Sequence, residues 1–558
     1  MKLRTSYFNS TVLKKDITRY APVWSLYTIF LLLVFMAFGI NTESPREMVA
    51  ALGDTLAGMS VLNLLYAGAV TLMLFGDLFN PRMCNALHTF PMRREGWFVT
   101  HLVAGLLFCL VPNFLMTILA CFTLKSAFYI AFIWLAVTFL QYLFFFGTAA
   151  LSALCAGSRL GMAAVYGLIN FLSLLVYYLA DTFYVPLLHG IQTQFSYFSF
   201  FCPTVHMSGW TYFNYSHAPG YGLFQGVIWE QWLYLFAVAG IGVAALALTV
   251  LLYRLRQLER AGDLIAVSFL RPVFLVIATV GAGAVMHAFG ALFSIATKYA
   301  FTAVGLTVGF FAGRMLLMRT VKVFQLKAFG LFALLVAALG LSMGLTRLDP
   351  LGIVTYIPKV QQVEQVTIAT NPNLYYDYYR GPSVTFKDAD AIADVLELHA
   401  ALTTQPDTDN EIIIPQGTVP IYIEYTLKGG GTVRRHYRVD AASDLGKLLN
   451  RQLSSWQCVF AADDWQAFKS SVQRIYIDAP YNLITPNAWD ELLEAMYLDC
   501  QAGNLAQDWA FHSKEEHISW VEIALHDGQS QGRYLSLNIY ESCTSTIAVL
   551  EKYKETDK

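Results

Sequence analysis

Charge is what this chain has least of. Only 14% of its 558 residues are Asp, Glu, Lys or Arg, against 56% apolar and 15% aromatic residues. That balance excludes a disordered or collagenous chain. The eight cysteines form no CxxC pair and no metal-like spacing, which argues against a disulfide-stapled or zinc-built fold. No GxxxxGKS or GxxxxGKT loop is present to cradle phosphates, and there is no HExxH helix or GxSxG elbow. The chain therefore hydrolyses no nucleotide in the P-loop manner. It offers no nucleophile-and-base pattern either, so neither an enzymatic role nor a cofactor is expected.

The net charge of -2 conceals a division. Met1 to Arg347 holds 21 Lys and Arg against 10 Asp and Glu, while Leu348 to Lys558 holds 16 against 29. A basic apolar part followed by an acidic water-soluble part reads as a membrane block with a soluble domain, and nucleic acid is not an expected partner. A bilayer core of about 30 Å needs roughly 20 uncharged helical residues. Nine stretches approach that length: Ala21 to Ile40, Thr55 to Gly76, Gly96 to Leu124, Ser126 to Ser158, Leu160 to Ala180, Gln231 to Tyr253, Pro272 to Thr297, Tyr299 to Met318 and Ala328 to Thr346. The eighth is the weakest, because Arg314 must snorkel to the interface. The first is too long for a signal-peptide core and is expected to stay as a span.

Lys and Arg alternate between the connections. One face takes Lys2, Arg4, Lys14, Lys15, Arg19, Arg82, Arg93, Arg94, Arg159, Arg254, Arg256, Arg260, Arg271, Arg314, Arg319, Lys322 and Lys327, and the other takes Arg46, Lys125, Lys298 and Arg347. By the positive-inside rule the N-terminus is expected in the cytoplasm and the C-terminal domain outside the cell membrane. The span centres carry no Asp, Glu or Lys. Asp77, Asp181 and Glu230 sit at span ends, and the deeper Asn63, Asn113, Gln141, Asn170 and His287 are neutral and read as glue between helices. Pro112 can kink the third span or be tolerated there. Uphill transport would need energy from elsewhere.

The second connection, Asp77 to Gly96, carries the most information. Asn80 can N-cap a helix whose first turn holds Pro81 and Arg82; Met83, Ala86, Leu87 and Phe90 share one face, Pro91 ends it, and Arg93 and Arg94 follow. Such a short amphipathic helix either docks on a protein or lies on lipid headgroups. Thr11 to Tyr20 is also amphipathic and basic, an interfacial elbow before Pro22. Asp181 to Glu230 has no Lys or Arg but many aromatics, among them Trp210, Tyr221 and Trp229, and suits a gate, an exit or an aromatic belt at the outer interface.

These segments resemble the permease subunit of a type-2 ATP-binding cassette transporter, in the Gram-positive version with a C-terminal extracytoplasmic domain. The likeness rests on Leu13 to Trp24, Leu87 to Phe98 and the aromatic segment before the sixth span, and covers about the first 255 residues. It implies that Asn80, Pro81, Arg82, Met83, Leu87, Phe90, Pro91, Arg93 and Arg94 couple to a cytosolic ATPase subunit. It also implies a second permease, as homodimer or heterodimer, and membrane lipid as partners. Exporting an amphiphilic peptide or envelope lipid is then the expected function. The alternative is a sensor whose outer domain binds an envelope component without transport.

The expected fold is an α-helical polytopic membrane protein with a C-terminal α+β domain. Its parts are an elbow helix (1–20), a six-span core (21–255), three further spans (256–347) and two β-α-β-β-α repeats (348–470 and 471–558). In the first repeat a strand at Val363 to Ile368 precedes a helix at Asp388 to Leu402, a hairpin around Gly429, Gly430 and Gly431, and a helix near Ser443 to Leu453. The second returns the order with a strand at Val472 to Ile477, a helix with Trp489, Leu492, Leu493 and Met496, strands near Trp520 to Leu525 and Arg533 to Tyr540, and a final helix to about Tyr553. His399, His436 and the pair Arg434 and Arg435 are candidates for ligand contact, though His399 is expected to pack on its helix and the arginines to lie on a solvated hairpin face. His512 and His517, flanking Lys514, Glu515 and Glu516, suggest a metal but are expected to belong to a solvated loop. One disulfide is possible among Cys458, Cys500 and Cys543.

Overall fold

The computed structural model describes residues 8–40, 45–83, 94–124, 128–191, 195–209, 213–214, 226–254, 262–369, 383–404, 418–440, 442–453, 459–460, 462, 464–477, 482–483, 486–505, 516–525 and 533–556. The chain divides into two compact units, Met1–Leu179 with Gln194–Val336, and Ala180–Thr193 with Ala337–Lys558.

The first unit is helical. A ten-residue helix α1 (Ser10–Arg19) precedes α2 (Ala21–Ile40), α3 (Pro45–Leu74), α4 (Arg94–Leu124), α5 (Tyr129–Cys155), α6 (Arg159–Phe183), α7 (Trp229–Tyr253), α8 (Leu270–Ala291), α9 (Ile295–Met318) and α10 (Leu326–Arg347). Among the described residues eight helices are long and apolar enough to cross a membrane, or nine if α1 and α2, bent by 60°, count as one span. The chain is thus a mostly helical protein of the polytopic membrane type.

Polar residues inside this bundle join helices. The Asn63 amide donates to Thr138 O at 3.1 Å and Gln141 Oε1 at 3.2 Å, tying α3 to α5, and the Asn113 amide donates to Tyr27 OH at 3.1 Å, tying α4 to α2. His287 meets Thr302 Oγ1 at 2.9 Å between α8 and α9. Those neighbours also pack through glycine: a Cβ on Gly305 would stand 2.5 Å from Ala282 O, and one on Gly309 2.5 Å from Ala278 O, so the helices approach backbone to backbone. Pro112 lies inside a continuous α4. Proline donates no N–H, which frees the carbonyl four residues earlier; Tyr66 OH of α3 donates to that Phe108 carbonyl at 2.9 Å, and the break is healed by a neighbour.

The second unit contains two four-stranded antiparallel sheets. One is built from β1 (Val363–Ala369), β2 (Ser383–Phe386), β3 (Thr418–Leu427) and β4 (Thr432–Asp440) in the order β2-β1-β3-β4, with helices α11 (Ala389–Thr403) and α12 (Asp444–Leu453). The other uses β5 (Val472–Ile477), β6 (Asn482–Leu483), β7 (His517–Leu525) and β8 (Arg533–Tyr540) in the order β6-β5-β7-β8, with α13 (Trp465–Ser471), α14 (Trp489–Gln501) and α15 (Thr544–Thr556). Strict alternation along β3 turns Val419, Ile421, Ile423 and Tyr425 inward against Ile392, Val395 and Leu402 of α11. In the other core Ile475, Val521, Ile523 and Leu537 pack with Leu492 and Met496 of α14. Each sheet holds one short strand, β2 or β6, that the sequence reading lacked; four and two residues are too few for a readable alternation. Cys500 and Cys543 are buried, the Cys543 thiol donating to Asn504 O at 3.1 Å, and Cys458 lies outside the described residues.

Candidate functional site: the elbow and coupling face

At the end of the bundle where α1 meets the start of α4, local sequence explains each piece. Asn9 is extended, and its side chain accepts from Thr11 N at 3.0 Å and Val12 N at 3.2 Å, capping α1. Asn9 N in turn donates to Thr100 Oγ1 on α4 at 3.1 Å. Val12, Leu13 and Ile17 face the core, while Lys14, Lys15 and Arg19 are exposed. The bend into α2 is held where Trp24 Nε1 donates to Ile17 O at 3.1 Å.

One acid also faces the core. Asp16 is 5% exposed and its Oδ2 stands 2.6 Å from Nδ1 of His101 on α4, itself 4% exposed. The imidazole is boxed by aromatic edges, with Trp97 at 4.2 Å and Phe75 at 5.9 Å between ring centres. With both side chains this dry no water can replace the hydrogen bond, so the pair latches α1 to the first turns of α4. Sequence reading passed over both residues. The signal was there for Asp16, since positions 12, 13, 16, 17 and 20 form one helical stripe and Asp16 is its only charged member.

Of the expected coupling residues, Asn80 accepts from Arg82 N at 3.0 Å through its side chain, and Pro81, Arg82 and Met83 form the first exposed helical residues after it. The cap and the proline lie where the sequence puts them. Leu87, Phe90, Pro91 and Arg93 lie outside the described residues, and Arg94 begins α4. Next to it Glu95 pairs with Arg254 at 3.1 Å, and Phe98 stacks on Tyr253 at 4.5 Å, so the start of α4 is also tied to the end of α7. Asp263 pairs with Arg271 at 2.9 Å and faces Arg319 at 3.8 Å, and Ala266 N donates to Cys155 O at 2.9 Å; these contacts fix the start of α8 against the end of α5.

Of the aromatic segment 181–230, the residues Trp210, Tyr212, Tyr215, Tyr221 and Phe224 lie outside the described residues. Its first part, within the second unit, makes a specific attachment there. Gly190 O accepts from His436 N on the edge strand β4, His189 Nε2 lies 3.3 Å from Leu402 O, and Tyr184 OH meets Ser342 Oγ at 2.9 Å. Gly190 has φ of +74°, and a Cβ there would stand 2.3 Å from the Tyr437 ring. Only glycine fits.

The remaining candidates are structural. His399 is fully buried, its Nε2 3.0 Å from Tyr437 OH and its Nδ1 3.0 Å from Tyr425 OH; burial, aided by Arg435, pushes its pKa down to about 4. His436 stacks on Tyr422 at 4.4 Å and is likewise lowered to about 4 by burial and then by Arg438. Arg434 pairs with Glu424 at 2.7 Å at the surface, but Arg435 corrects the sequence reading: it points inward, 8% exposed, and donates to Ile353 O at 2.9 Å and Tyr356 O at 3.1 Å. Alternation along β4 forces adjacent arginines to opposite faces. His517 is exposed at the start of β7, His512 lies outside the described residues, and no His, Cys, Asp and Glu group that could hold a metal occurs among the described residues.

No family model, curated protein or solved structure matches this chain.

Proposed function

We propose that the chain is the multi-pass permease subunit of an ATP-binding cassette exporter, driven by a separate cytosolic ATPase and acting with a second permease on an amphiphilic peptide or envelope lipid. The observation that carries this reading is the Asp16–His101 latch beside the Asn80-capped helix start. A segment that receives force must be joined stiffly to the spans it moves, and here the elbow, the third long helix and the end of α7 are fastened together within a few turns. Span centres free of carboxylates fit a protein whose energy comes from outside itself. In this reading α1 and Asn80 to Arg94 face the cytoplasm, the second unit is extracytoplasmic, and its two sheets, alike in strand order, are copies of one β-α-β-β-α unit extended by a short strand.

The test is whether a gene beside this one encodes a P-loop ATPase and whether that ATPase co-purifies with the chain, comparing the native protein with a Leu87→Asp, Phe90→Asp double variant. Loss of the complex supports the assignment, and undiminished recovery rejects Asn80 to Arg94 as the docking segment. A sensor is the second reading, favoured by the attachment of residues 184–190 to β4 inside the second unit, since that loop continues directly from α6. It requires that an envelope component still bind when the ATPase is inactive and that no cargo move.

A further inference from the structure

Four helices of the first unit surround a cleft whose chemistry is unusually uniform. Leu31 and Phe35 of α2, Leu52 of α3, Met116 and Ala120 of α4 and Ala131 of α5 line about 470 Å³ of space, its open mouth included. The polar atoms at its wall are already engaged: Trp134 Nε1 donates to Thr55 Oγ1 at 3.1 Å, and Thr55 Oγ1 donates to Leu52 O at 2.7 Å. Among the described lining residues no polar group is left to hold water or a headgroup, and an apolar hollow without polar partners stays dry. Leaving it vacant forfeits the dispersion contacts of every wall atom.

Three features select the occupant. The cleft lies among apolar helices of membrane-spanning length, where the surrounding solvent is itself alkyl chain. On the same helices Leu33, Phe122 and Phe132 are exposed at 59%, 76% and 47%, so the helices that line the cleft also present apolar side chains to the outside of the bundle. Each helix lines the cleft with residues no more than about one turn apart, roughly 5 Å of depth. That depth suits the end of a chain rather than a whole lipid. Met116 can adapt its flexible thioether to the guest, and Ala120 and Ala131 leave the room that larger side chains would take.

We propose that this cleft is a binding site for the terminal methylenes of an acyl chain from a bilayer lipid, held between α2, α3, α4 and α5. The site is independent of the transport reading, since it needs only the lipid and these four helices.

The full chain, reconstituted in vesicles of phosphatidylethanolamine and phosphatidylglycerol, would be irradiated with a phosphatidylglycerol carrying a diazirine at its acyl terminus. Labelled residues would be located by mass spectrometry. Met116, Ala120 and Ala131 should be labelled well above Ile241, which is 57% exposed on α7 and reports ordinary lipid contact. Ala120→Leu and Ala131→Phe fill the cleft and should lower cleft labelling about tenfold or more, leaving Ile241 unchanged. A second measurement needs no variant: excess unlabelled long-chain phosphatidylglycerol should suppress the cleft signal at concentrations that only dilute the Ile241 signal in proportion. Equal labelling at the cleft and Ile241 would overturn the proposal, as would cleft labelling indifferent to both substitutions in variants that elute as the native protein does.

Discussion

Asp16 and His101 meet at 2.6 Å with side chains only 7% and 5% exposed, one on a ten-residue amphipathic helix and the other two turns into a long apolar one. Removing either partner leaves the other buried and uncompensated. Asp16→Leu or His101→Leu alone should cost about 1 to 3 kcal/mol or more, whereas the two changes together should recover most of that loss. Thermal unfolding of the four purified proteins gives the coupling directly; additive losses would show that the two side chains do not act as a pair.

Tyr66 offers a cleaner cut, because its hydroxyl donates to the Phe108 carbonyl, from which Pro112 has withdrawn the ordinary helical donor. Tyr66→Phe should destabilise the first unit by about 1 to 3 kcal/mol, the cost of an unmet buried carbonyl. A Pro112→Ala change in the same background should restore the helical bond and most of the stability. Equal losses with and without Pro112→Ala would sink this account.

The spans were legible because a bilayer demands about 20 uncharged residues in a row, and the chain supplies them repeatedly. The strands Val472–Ile477 and Arg533–Tyr540 were equally plain from their apolar content. What sequence could not supply was the identity of neighbours. Arg435 looked like half of a solvated pair with Arg434, yet the pleat sends it to the carbonyls of Ile353 and Tyr356, some eighty residues earlier. His101 and Gly190 carried no local mark at all, since their partners are 85 residues away in one case and in another sheet-forming segment in the other.

Acid should loosen the first sheet's unit. His399 takes a proton only near pH 4 in the folded protein but near 6.5 when unfolded, so the unfolded state binds more protons between those values and stability falls as pH drops through that window. The loss approaches about 3 kcal/mol at the lower end, with His436 adding in the same direction. Denaturant unfolding followed from pH 7.5 to 4 should show this slope, and His399→Gln should flatten it. An unchanged slope in that variant would assign the acid sensitivity to other groups.

Gly190 is expected to tolerate no side chain. Its φ of +74° and the Tyr437 ring at its α-carbon make Gly190→Val costly by about 1 to 3 kcal/mol from backbone strain, with the ring contact added. Hydrogen exchange should reveal faster opening at His436 N, whose acceptor is Gly190 O, while amides of β7 and β8 keep their native rates. Native protection at His436 in the variant would mean that the loop does not hold β4.

That same attachment bears on how the sheet-bearing part can be isolated. A fragment cut at Leu348 carries β4 but leaves behind the carbonyl that occupies its outer rim, so a bare row of amide donors and carbonyls would be offered to any passing strand, including that of a sister fragment. Grafting residues 184–191 back onto such a fragment, by a short flexible link ahead of residue 348, would supply the missing edge and keep it solitary in solution.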